Sequence, residues 1–403
     1  MTPPQLTVLC IASYRKGDAF LHAAKRAGAR VLLLTSKSLE TSDWPREAFD
    51  DIYFVPDVDK QWNMTEVIKS VSWLARSTKI DRIVALDDFD VEKAAMLREH
   101  LRVAGMGDTT ARYFRDKLAM RAKAREAGLV VPDFVPVLNY DEIRAFLNTV
   151  PGPYVLKPRS MAAAIGIRKV ATGDNLWPLL DELGDQQAFF VLEQFVPGDV
   201  FHVDSIVADY RVRFAMASRY GTPPLETVQE GRVFTTKTLR RRSPDERTLL
   251  GFNQTLLKAL GLKQGVSHTE FIKGRRDGAF YFLETSARVG GAHIVDLIEA
   301  ASGLNLWAEW ARLECRPEDD PYVVTPPKRR YAGLLVSLAR QEQPDLSGYD
   351  APEVTWRLEK KHHAGLVVAS PKLERVDALV DQYSEGFYRD FFATAPARMT
   401  ATD

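Results

Sequence analysis

The chain of 403 residues has only two cysteines, Cys10 and Cys315. Two thiols rule out a disulfide framework and leave too few ligands for a thiolate metal cluster. Both lie in apolar surroundings and read as buried core residues. No apolar run approaches the roughly 20 residues that a membrane-spanning helix needs. The N-terminal MTPPQLTVLCIAS has no charged stretch ahead of its apolar run, so no secretory signal is read and a cytoplasmic location is expected. A charge excess is missing too, because 54 basic residues balance 54 acidic ones. That balance gives no pull toward nucleic acid or an anionic membrane. The basic runs Arg240–Arg242 and Lys328–Arg330 are short and read as solvated loops. There is no G-x-x-x-x-G-K-[ST] anywhere, and no G-x-G-x-x-G in the first hundred residues. Nucleotide chemistry, if present, must therefore use other parts of the chain.

What the chain does have is alternation. Strand-like Leu6–Ala12, Arg30–Leu34, Ile52–Val55 and Arg82–Leu86 are interleaved with helix-like Asp18–Ala27, Met64–Arg76 and Val91–Leu101. This order reads as βαβ units around a parallel sheet. Asp87 and Asp88 follow the fourth strand, where open α/β sheets bind ligands. They suit a substrate amine, and equally the cap of the next helix. Gly105–Gly107 marks a boundary. A helix is predicted over Thr109–Ala127, ending at Gly128 with Pro132 beyond. From Pro153 to about Glu284 the pattern is β-rich, with helices over Asn175–Leu183 and Pro244–Leu260. After Thr325–Pro327 come strand-like Tyr331–Ala339 and Ala364–Ala369, then a helix over Leu373–Tyr383. The length suits two or three domains.

Four segments carry chemical signals. Lys117 sits near the start of its helix, where a lysine and a helix N-terminus together suit phosphate. Lys157 ends a strand that should be buried, and a buried cation needs an anionic partner. The small-residue run Ser160–Gly166 after it suits close approach of backbone N–H groups to phosphate oxygens. Phe190–Gly198 is an extended strand ending in Pro-Gly, with edge groups that suit a purine. The strongest segment is the probable hairpin of Ser267–Ile272 and Tyr281–Glu284. Glu270 and Glu284 lie on its two strands among apolar residues, and carboxylates there must be paired or bind a cation. Two such groups suit Mg²⁺. Arg288 follows on the loop, with a fork that suits a carboxylate or phosphate. An internal Glu–Arg salt bridge explains the same residues, a surface hairpin explains the Lys157 segment, a plain strand-to-turn explains Phe190–Gly198, and taken alone Lys117 reads as an ordinary surface lysine.

In order, Asp116-Lys117…Ala127-Gly128-x-x-x-Pro132, Val155-Leu-Lys-Pro158 with its loop, Glu193-Gln-Phe-Val-Pro-Gly198, His268-Thr-Glu-Phe271 and Leu283-Glu-Thr-Ser-Ala-Arg-x-Gly-Gly291 resemble the ATP-grasp superfamily. The resemblance covers nearly the whole chain. It implies an α/β and α+β fold: a Rossmann-like preATP-grasp domain (1–107), a split ATP-grasp nucleotide-binding and catalytic domain (108–324) and a small C-terminal α+β domain (325–403). It implies ATP as cofactor with Mg²⁺ (or Mn²⁺). Lys117 and Lys157 would contact phosphates, with Ser160–Gly166 closing over them. Glu193 would take the adenine amino group, with Phe195 and Val196 lining the base. Glu270 and Glu284 would bind metal. Arg288 would steady the acyl phosphate or the acceptor, and His268 would orient the amine or the carboxylate.

The implied reaction joins a small-molecule carboxylate to an amine, amino acids being the expected substrates, through an acyl phosphate. Dimers are common among similar enzymes. There are two departures from the family pattern. Val200 stands where an acid usually binds ribose, leaving Asp199 or His202 as candidates, and Ser286 stands where an asparagine usually binds metal. The loss of that asparagine, with the His-Thr-Glu segment, is similar to the L-amino acid ligases. A biotin carboxylase-like subunit and a non-catalytic ATP-binding sensor are the alternatives.

Overall fold

The computed structural model describes residues 5–162, 165–224, 232–317 and 320–393. The Gly- and Pro-containing stretch Tyr220–Glu230, whose sequence reads either as a lid or acceptor loop or as a plain exposed loop, lies mostly outside the described residues, as does part of the Ser160–Gly166 run. The first unit is β1 (Thr7–Ala12), α1 (Asp18–Arg26), β2 (Arg30–Ser36), β3 (Asp51–Val55), the short β4 (Asp57–Val58) and β5 (Gln61–Trp62), α2 (Met64–Leu74), β6 (Arg82–Ala85) and α3 (Val91–Leu101). Four strands form a parallel sheet in the order β3-β2-β1-β6. β1 is buried on both faces: Val8 and Cys10 pack into one core, Leu9 and Ile11 into another. That double burial is why VLCIA is apolar at every position.

The helix predicted over Thr109–Ala127 is two helices, α4 (Asp108–Arg112) and α5 (Lys117–Glu126). The break is made by Asp116, whose side chain accepts from Leu118 N and Ala119 N and so starts a new helix. Next come β7 (Phe134–Pro136), α6 (Tyr140–Thr149), β8 (Tyr154–Pro158), β9 (Arg168–Val170), α7 (Leu176–Leu183) and β10 (Phe190–Gln194). They build a four-stranded antiparallel sheet, β7-β10-β8-β9.

The remaining elements are β11 (Gly198–Ala208), β12 (Arg211–Tyr220), β13 (Phe234–Thr238), α8 (Pro244–Leu260), β14 (Gly265–Gly274), β15 (Phe280–Ser286), α9 (Ile294–Ser302), α10 (Leu306–Glu314), β16 (Tyr331–Leu338), β17 (Val354–Arg357), β18 (His363–Ser370) and α11 (Leu373–Asp390). All eight of these strands form one antiparallel sheet, β15-β14-β11-β12-β13-β16-β18-β17. The strands beyond Thr325 are thus hydrogen-bonded to the rest of that sheet through β13 and β16. α8 has the bounds its sequence predicts, because Ser243 caps it, Pro244 opens it and Gly261 closes it at φ 83°. Cys10 is buried, but Cys315 is only half-buried, because it ends α10 rather than lying inside it.

Candidate active site

A cavity of about 1000 Å³ lies between the two antiparallel sheets and the C-terminal ends of the parallel strands. Of the residues expected to act, Lys117, Lys157, Glu193, Phe195, Val196, His268, Glu270, Glu284 and Arg288 all line it. Ser160 and Gly166 are not on its wall. Ser160 accepts from Arg115 Nη2 through its carbonyl (2.6 Å), and Gly166 packs on Pro158 at φ 72°.

The acids are brought together by register. Glu270 and Glu284 are cross-strand partners on β14 and β15, and His268 pairs with Ser286 on the same face. Phe271 and Phe282 point to the other face and into the core. Tyr220 donates to Glu270 Oε1 at 2.7 Å. Lys117 Nζ donates to the Met161 carbonyl (2.6 Å) and pairs with Glu284 Oε2 at 2.9 Å. Burial opposes the charge on Glu284, but Lys117, Lys157 and Arg121 outweigh it and hold the carboxyl well below the usual carboxylate range.

Lys157 pairs with Glu193 Oε2 at 2.6 Å, and Arg121 Nη2 donates to the same oxygen at 3.3 Å. Glu193 is 2% exposed, and burial alone would raise its pKa; Arg121 and Lys157 bring it down. Burial pushes Lys157 to about 8, Glu193 opposing and Arg121 reinforcing the fall. The Glu193 carboxylate is therefore engaged by two cations at the cavity floor, while Phe195 and Val196 continue the wall beyond it. Arg121 was missed in the sequence. Its signal is spacing, because it lies four residues after Lys117 on one helix face.

Of the two roles open to it, Asp87 takes the cap. Its Oδ1 accepts from Phe89 N at 3.1 Å, capping the following turn, while Oδ2 pairs with Lys16. Asp88 pairs with Arg115, whose other nitrogen holds the Ser160 carbonyl. His202, named as a ribose candidate, is fully buried, with ring nitrogens against Asp204 and Thr236. It cannot reach a ribose. Asp199 pairs with Arg219 at 2.8 Å and is off the cavity wall, whereas Val200 lines it.

Two carboxylates at adjacent strand positions, flanked by lysines and opening on one cavity, are the donor set that Mg²⁺ takes when phosphate oxygens and water complete its shell. Glu270 and Glu284 fit the ion. Ser286, on the same face, offers a neutral hydroxyl.

No family model matches the chain. It is similar in sequence to an L-arginine-specific L-amino acid ligase of Bacillus subtilis, 25% identical over 264 residues, covering 64% of this chain and 62% of that ligase. The match thus spans less than two thirds of that relative's length. Among solved structures, an L-amino acid ligase from Bacillus licheniformis superposes with TM-score 0.76 at 17% identity, covering 98% of this chain and 100% of that one. A carboxyaminoimidazole ribonucleotide synthase from Aspergillus clavatus, complexed with ATP, gives 0.72 at 14% identity over 96% and 99%. A parallel sheet, a small antiparallel sheet and a large one meeting at a shared cavity define a class, and the chain has the ATP-grasp fold.

Proposed function

We propose that the protein is an ATP- and Mg²⁺-dependent ligase that joins the carboxylate of one amino acid to the amine of another. The observation that carries this is the cross-strand pair Glu270–Glu284, set opposite Lys117 and Lys157 on one cavity. Phe195 and Val196 would line the adenine, and the Lys157–Glu193–Arg121 cluster would support the phosphates from below. Glu270 and Glu284 would hold Mg²⁺, which supplies charge neutralisation for the transferred phosphoryl group.

A substrate carboxylate oxygen attacks the γ-phosphorus of ATP. The new P–O bond forms as the β–γ bridge breaks, giving an acyl phosphate and ADP. Lys117 and Lys157 stabilise the charge that accumulates on the phosphoryl oxygens. The amine nitrogen then bonds to the acyl carbon, inorganic phosphate departs and the nitrogen loses a proton. Arg288 would hold the acyl phosphate or the acceptor carboxylate through its fork. His268 would steady the acids beside it.

The test is phosphate release from ATP and Mg²⁺ with pooled amino acids, with mass spectrometry for new amides and Glu284→Ala alongside. Phosphate and a condensed product, both lost in the variant, are expected. ATP turnover that needs bicarbonate and biotin instead would overturn the assignment.

A further inference from the structure

Behind the two acids lies a buried cluster that the reaction does not use directly. Asp204 of β11 is fully buried, and each of its oxygens meets a different imidazole. Oδ2 lies 2.6 Å from His202 Nδ1, and Oδ1 lies 2.8 Å from His268 Nδ1. His202 Nε2 is 2.8 Å from Thr236 Oγ1, which ties the cluster to β13. On its other side, His268 Nε2 is 3.5 Å from Glu270 Oε1 and 3.4 Å from the Tyr220 hydroxyl that bonds the same oxygen.

The cluster also carries a loop. A Cβ on Gly290 would sit 2.8 Å from Asp204 Oδ1 and 3.0 Å from His268 Nδ1. Only a glycine lets the backbone just after Arg288 rest on the pair. A carboxylate and two imidazoles so close could be taken for a metal site. Here, though, both carboxylate oxygens already accept from ring N–H groups, so the three side chains close on themselves.

We propose that Asp204 is a positioning residue. By fixing the ring of His268 it holds Glu270 in its metal-binding orientation. By seating Gly290 it sets the Arg288 loop against that carboxylate. The proposal rests on the metal-binding role given to Glu270 above. A fully satisfied buried network is stiff, and removing a group that orients a metal ligand lowers metal affinity about 10–100-fold. Asp204→Asn keeps the volume but offers an amide N–H₂ where one ring expects an acceptor.

The experiment is Mn²⁺ binding to the ADP-loaded full-length protein, read by electron paramagnetic resonance, with melting temperature measured on the same samples. Asp204→Asn is expected to weaken Mn²⁺ binding about tenfold or more while remaining folded. Unchanged affinity in a folded Asp204→Asn would overturn the proposal and leave the ligase assignment standing. If Asp204→Asn does not fold, His268→Gln decides in its place: weakened Mn²⁺ binding supports the proposal, and unchanged binding overturns it. Absence of Mn²⁺ binding in the wild-type complex would instead remove the metal role of Glu270, and this inference with it.

Discussion

Lys157 is where burial and charge compete most openly. Desolvation lowers its pKa from 10.5 to about 8 despite the Glu193 carboxylate 2.6 Å away. Below about pH 8 the charge is present and costs stability; that cost is relieved as pH rises from 8 toward 10.5. Phosphate binding in the proposed site would run the other way, since it would need the charge. ATP affinity is therefore expected to fall as pH rises through about 8 and beyond, measured by calorimetric titration at constant ionic strength. In Lys157→Arg the fall should move to much higher pH, because guanidinium stays charged. Lys157→Met should weaken ATP by about tenfold to a hundredfold, the worth of one charged hydrogen bond. It should leave Glu193 with Arg121 as its remaining cation.

At the scale of elements, α5 shows what one cap controls. Asp116 bonds the first N–H groups of that helix and accepts from Arg159 Nε at 3.0 Å. Lys117, the next residue, donates its backbone N–H to the Arg159 carbonyl at 2.8 Å. Asp116→Ala should cost about 1 kcal/mol for the cap, read by urea denaturation, with a further loss from freed Arg159. It should also raise the KM for ATP, because the root of Lys117 loosens.

The same element shows the limit of sequence reading. Apolar periodicity runs through Thr109–Ala127 without interruption, so the break at Asp116 was invisible as a break, although the residue is a good cap. The strands and their acids were legible, since period and burial both act locally. His202 was misjudged, because the face it occupies depends on the register of β11 against β14. Asp204 went unread for the same reason, its partner His268 being 64 residues away, and Tyr220 was legible only as the start of a loop, its partner Glu270 lying 50 residues on. Arg121 was within reach, at four residues from Lys117.

At the scale of the molecule, the cavity belongs to no single unit, since Lys16 and Asp87, Lys117 and Lys157, and Ser337 and His363 all reach it. The eight-stranded sheet makes the strands beyond Thr325 structural partners of β14 and β15, which carry Glu270 and Glu284. Ending the chain at Thr325 should strip β13 of its neighbour and expose Leu334-facing core along that edge. A truncated protein is expected to aggregate at concentrations where the full chain is monodisperse, as light scattering would show.

The seam between β13 and β16 also has a thermodynamic meaning. Four residue pairs, Phe234 with Val336 through Lys237 with Gly333, join two regions that lie nearly a hundred residues apart in sequence. Heat cannot melt one side without baring hydrogen-bonding groups on the other. The plate should therefore lose its structure in one cooperative endotherm rather than two, and a destabilising change in the C-terminal helix would be felt across the whole sheet rather than as a lost appendage.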